Sequence, residues 1–140
     1  MNGRRSAALA MTAAGVLIAV YLTVLHYDTS VPLYCVGQGN GLINCGDVLT
    51  SPQSVVMGIP VPVWGLFWFI VAGVLVWFAP VRDRIRAWLM AWSIAGSIVV
   101  IYLVYVEFDV LHHVCIWCSA LHLLILAFTA LQVYEAGIGS

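Results

Sequence analysis

Four stretches of this chain, residues 6–27, 59–79, 87–108 and 114–134, are long and almost entirely apolar. As helices rising ~1.5 Å per residue, each can cross a hydrocarbon core, which takes about 20 residues. Composition agrees, because 64% hydrophobic and 8% charged residues lie far outside the soluble norm. The expected fold is therefore all-α: a polytopic membrane protein, a bundle of four transmembrane helices, with residues 1–140 as a single membrane domain. A net charge of -1 and the lack of a basic run interleaved with aromatics exclude a phosphate-tracking surface for nucleic acid. The first stretch follows a basic "NGRR" like that of a secretory signal. Its apolar run is too long for a signal core and no small-x-small cleavage site follows, so it is expected to remain as an anchor.

Charge placement orients the bundle. The positive residues are Arg4, Arg5, Arg82, Arg84 and Arg86, before the first span and in the turn "PVRDRIRA" between the second and third. The positive-inside rule makes both places, and both termini, cytoplasmic. The loop 28–58 and the turn "DVLHH", which lack Lys and Arg, then face the other side. Topology thereby sorts the cysteines: Cys35 and Cys45 lie in the long outer loop, Cys115 and Cys118 at the outer end of the fourth span. All are expected in a compartment where disulfides persist, and sequence alone leaves their pairing open.

Short turns make the second, third and fourth spans antiparallel neighbours. Ala13, Ala14, Gly15, Gly73, Ala95, Gly96 and Ser97 would let helices approach closely where lipid gives no hydrophobic drive for association. The loop 28–58 is the exception, and loops so long are usually functional or disordered. Val48, Leu49, Val55, Val56 and Met57 make it too apolar for a free linker, so a short helix is expected after Asn44, broken near Pro52 and capping the bundle on the outer membrane face. Trp64, Trp68 and Trp117 fall in the outer parts of their spans and Trp77 and Trp88 flank the inner turn. An aromatic belt or packing accounts for any one of them, and the outer three could also line a pocket for a flat ring.

Chemistry concentrates in "HHVCIWCSALH", residues 112–122. Residues three apart on a helix share a face, so Cys115 and Cys118 place their sulfurs where a disulfide can close. In the first turn, amide N–H groups and the positive end of the helix dipole stabilise a thiolate, which makes Cys115 the candidate for exchange. Cys118, one turn deeper, is within reach of a lipid-soluble partner. A two-residue loop would make a poor staple, since stabilisation by a crosslink grows with loop length. Zinc held by Cys115, Cys118, His112 and His113 is the metal alternative. Haem is disfavoured, because no Cys-x-x-Cys-His is present and His26 and His122 have no second pair in the inner halves. Cys35 and Cys45, in a Gly-rich segment, can meet a protein from the aqueous side, and a loop reaching both that partner and the buried pair is a physical relay. Static disulfides bracing a structural four-span protein remain the alternative from another class.

The order of two loop cysteines first and "CIWC" last, with "NCGDVLTSP", "GIPVPVWGLFWF" and Ser51, resembles the vitamin K epoxide reductase family in its short, stand-alone bacterial form, over nearly the whole chain. The resemblance implies four membrane helices around a quinone of ubiquinone or menaquinone type, capped by the loop. It implies that electrons pass from a separate thioredoxin-like (DsbA-like) partner outside the cytoplasm to Cys35 and Cys45. From there they cross a transient Cys45–Cys115 disulfide to Cys115/Cys118, and Cys118 reduces the quinone without a metal. That is the task of DsbB in the bacterial cell membrane, although there the Cys-x-x-Cys comes first. Ser51, Trp64, Trp68 and His122 are the quinone-binding candidates. Vertebrate members carry a tyrosine where this chain has His122 and an asparagine where it has Val61, so epoxide reduction is the point on which the resemblance is weakest.

Overall fold

The computed structural model describes residues 3–28, 30, 32, 43, 48 and 51–139. Helices α1 (Gly3–Tyr27), α2 (Val61–Phe78), α3 (Asp83–Tyr105) and α4 (Ile116–Gly139) carry the chain back and forth, and all four are long and apolar enough to cross a membrane. The protein is an all-α, four-helix membrane bundle.

Helix ends depart from the expected spans for local reasons. Ile59 and Pro60, expected to open the second span, form strand β2 (Ile59–Pro60) against β1 (Val55–Val56) in a two-stranded hairpin. Its turn residues Met57 and Gly58 both take positive φ, 55° and 79°, a conformation that glycine adopts freely and methionine rarely does. α2 starts only at Val61, with Pro60 as its N-cap and Pro62 in its first turn, where a missing N–H costs nothing. α3 begins at Asp83, ahead of the expected residue 87, because Asp83 lies in the first turn and complements the positive end of the dipole. α4 continues past residue 134 to Gly139. Of the expected capping helix, Val48 is helical and Pro52–Ser54 form a single tight turn; the remainder of that segment lies outside the described residues.

α1 packs on α2 and α4, and α3 packs on the same two helices, closing a ring. Small residues set the approach distance. Gly15 lies against the ring of Phe69 and Gly96 against the indole of Trp68, so that a Cβ at either position would enter the aromatic ring. The Phe69 and Phe128 side chains are fully buried. Across α2 and α3, Trp68 Nε1 donates to the Trp92 carbonyl (3.2 Å) while Trp92 Nε1 donates to the Trp68 carbonyl (3.1 Å). Their rings stack with centroids 6.5 Å apart. Across α3 and α4, Ser97 Oγ donates to Thr129 Oγ1 (2.8 Å), which donates to the Ser93 carbonyl (3.0 Å). Such bonds hold helices together where lipid supplies no hydrophobic drive. Gly96→Val is expected to destabilise the bundle by about 1–3 kcal/mol through overpacking, read as a lower unfolding midpoint in detergent.

The two ends of the bundle differ. Arg5 Nη2 donates to the Trp77 carbonyl (2.6 Å) and its guanidinium lies over the Trp77 ring, while Arg4 lies over Tyr134. The start of α1 therefore meets the ends of α2 and α4, at the end of the bundle where Arg82 caps α3 and Arg84 and Arg86 lie in its first turns. Every arginine gathers at this end; Ser51, Cys115 and Cys118 occupy the opposite one.

Candidate functional site

The backbone before "CIWC" is shaped by a widened helical turn. α3 passes into a π-helical turn, Val106–Val110, in which the Leu111 N–H reaches back to the Val106 carbonyl (2.9 Å). Such turns break the regular facing of a helix and recur at functional sites. Here it accompanies a Glu107 side chain that is only 5% exposed. The Glu107 carbonyl accepts the His113 N–H (3.0 Å) and its carboxylate Oε2 accepts the Cys115 N–H (3.3 Å). The other oxygen, Oε1, lies 3.6 Å from His122 Nδ1. His112, at φ 55°, turns the connector back toward α4.

Cys115 immediately precedes α4 and acts as its N-cap, with its carbonyl accepting the Ser119 N–H (2.9 Å). An N-cap side chain is where the free amides of the first turn converge. The Cys115 thiol is accordingly held below the usual thiol range, first by a hydrogen bond from the Cys118 thiol and then by the amides of Cys118 and Trp117, against the opposing effect of burial. Cys115 is fully buried and Cys118 half-buried, both as free thiols.

Cys118, not Cys115, lines a cavity of about 340 Å³ whose walls also include Ser51, Trp64, Trp68, Glu107 and His122. The candidates named from sequence are thus brought together, but with unequal chemistry. Trp64 Nε1 donates to the Val56 carbonyl (3.2 Å) and Trp68 Nε1 to Trp92, so both indoles offer flat faces and no spare donor. Ser51 Oγ donates to the Val48 carbonyl (2.8 Å), which ties the loop over the cavity and leaves Ser51 as an acceptor. His122 keeps Nε2 available, since Nδ1 faces Glu107. Gln53, another wall residue, has a buried Oε1 with no hydrogen-bond partner among the described residues. An apolar slot with flat indole walls and one imidazole suits a quinone ring, and the orphaned Gln53 Oε1 could accept only from the hydroxyl of the quinol form. Trp117 is absent from the walls and packs edge-on against Tyr21, with centroids 5.3 Å apart.

Cys35 and Cys45 lie outside the described residues. Between them in the sequence, Ile43 forms a parallel bridge with Val114. Among the described residues, no three of His, Cys, Asp and Glu gather as metal ligands. Sequence reasoning passed over Glu107 and Gln53. An acidic residue at the very end of an apolar span, just before a short connector, was the available signal for Glu107; Gln53 gave none.

A membrane bundle that sets a dithiol at a helix N-terminus beside an apolar cavity defines a class: integral membrane proteins of thiol redox chemistry. The sequence pattern of the Vitamin K epoxide reductase family matches residues 6–133, and the chain belongs to that family. It is thereby a membrane oxidoreductase with a quinone-linked redox role. No curated protein matches the chain individually.

Proposed function

We propose that the protein is a disulfide-generating quinone reductase, formed by a single membrane domain with its arginine-rich end in the cytoplasm and its cysteines outside. A separate thioredoxin-like dithiol reduces the Cys35/Cys45 pair and is itself oxidised. Cys45 then attacks the Cys115 sulfur of a Cys115–Cys118 disulfide, so that Cys118 leaves as a thiolate beside the cavity, and Cys35 attacks Cys45 in turn, closing the Cys35–Cys45 disulfide and releasing Cys115. Once Cys115 and Cys118 are both reduced, they return to the disulfide by giving up two electrons and two protons, and quinone becomes quinol.

The observation that carries this reading is the division between the two cysteines. Cys118 is in the cavity wall, whereas Cys115 follows Val114, which is bridged to Ile43 of the loop. Ile43 stands two positions before Cys45 in the sequence. The apolar walls and the tryptophan faces support quinone as the occupant, with Ser51 and His122 in the wall beside it.

The test mixes purified protein with a reduced thioredoxin-like substrate and ubiquinone-1, following quinone absorbance. Catalytic quinol formation with oxidation of the substrate is expected; a wild-type protein that reduces no quinone sinks the reading. Replacing Cys35 or Cys45 singly by Ala is expected to trap a mixed disulfide between the partner and the cysteine that remains, identified by non-reducing electrophoresis and peptide mass. The trapping variant names the entry cysteine.

A further inference from the structure

Quinone reduction by a dithiol moves protons as well as electrons, and the relay of cysteines handles only the electrons. The wall of the cavity holds three titratable side chains among the described residues, Glu107, Cys118 and His122. Two of these, Cys118 and His122, are one turn apart on α4 and so share a face. The third comes from the π turn of α3. Its carboxylate touches the Cys115 N–H through Oε2 (3.3 Å) and faces His122 Nδ1 through Oε1 (3.6 Å). One buried carboxylate thus accepts a bond from the start of the redox helix and lies beside the imidazole that lines the cavity.

The geometry points to Glu107 as a positioning residue for proton transfer, one that holds His122 so that its Nε2 carries a proton from the Cys118 thiol to a quinone oxygen. A carboxylate beside Nδ1 fixes the proton there, leaves Nε2 as the base, and stabilises the imidazolium formed when it accepts a proton. The step balances. The Cys118 thiol gives its proton to His122 Nε2, and the two sulfurs give up an electron pair to the quinone as the Cys115–Cys118 bond closes. His122 then returns its proton to one quinol oxygen. The Cys115 proton is released to water, and the second quinol oxygen takes one from water. Other groups that titrate nearby are Cys115 at the N-cap and Asp109, His112 and His113 on the connector, none of which lines the cavity. All arginines are at the far end of the bundle.

This inference rests on the quinone reductase reading, and the test separates the two. Protein reduced in advance and freed of reductant is mixed with ubiquinone-1, and a single turnover is followed over a range of pH in light and heavy water. Glu107→Gln is expected to slow quinol formation about 100-fold and to flatten the pH profile and weaken the solvent isotope effect. Entry of electrons from the partner dithiol should be unchanged. His122→Gln, which keeps Glu107 and its bond to Cys115, is expected to change the profile in the same way, and the double variant should be no slower than His122→Gln alone. If either single variant keeps the wild-type pH profile, whatever its rate, the role is structural and the inference fails. If the wild type forms no quinol, the functional reading beneath it fails first.

Discussion

Cys118→Ser is expected to lower quinone reduction at least about a thousandfold, as loss of a reacting group does, while leaving exchange between the partner and the outer cysteines intact. Serine nearly matches cysteine in volume, and Cys118 is half-buried, so the bundle should fold as before. What disappears is the sulfur that faces the cavity. Without Cys118 there is no Cys115–Cys118 disulfide for Cys45 to attack, so the Cys45–Cys115 disulfide should not form, which peptide mass under non-reducing conditions would check. Quinone reduction that survives the substitution would overturn the order of the relay, because Cys115 has no place in the cavity wall.

Trp68→Ala is the substitution expected to cost most in stability, about 3–5 kcal/mol. The side chain is 8% exposed and meets Phe128 edge-on, with centroids 5.6 Å apart, besides stacking on Trp92. Its removal also leaves the Trp92 carbonyl without the indole donor that it accepts in the native bundle. The measurement is an unfolding titration in detergent, paired with a quinone KM, which should rise as the flat wall is lost. Trp64→Ala makes the contrast: that ring is 36% exposed and bonds only to the hairpin, so its loss should move stability far less.

The pair Trp64 and Trp68 also marks how far the sequence could be read. Both lie in the outer part of one apolar run, and nothing in the run says which faces a neighbour, because a helix that is apolar all round carries no stripe to orient it. Gly96 decides the matter for Trp68, and Gly96 is on another helix. The spans themselves were legible, since length and apolarity are local properties. The closeness of Cys115 and Cys118 was legible too, although Cys115 sits just before α4 and not in its first turn. Glu107 was not. Before a polar connector, an acidic residue reads as the wet end of a span, and only the π turn accompanies its burial against α4. The hairpin 55–60 was hidden for a related reason, in that Val55, Val56 and Ile59 look like the approach to a helix until Met57 and Gly58 turn back.

The closed ring of helices has a consequence for how the protein is made. α4 is the last span to emerge, and it packs on both α1 and α3. It also brings Cys115, Cys118 and His122, whereas the earlier helices supply only walls and the Glu107 carboxylate. Under the proposed relay, a chain halted before α4 would have its loop thiols but no Cys115/Cys118 pair to pass electrons to. On that reading redox competence arrives in one event, when the closing helix docks, and turnover doubles as a report that the bundle has closed.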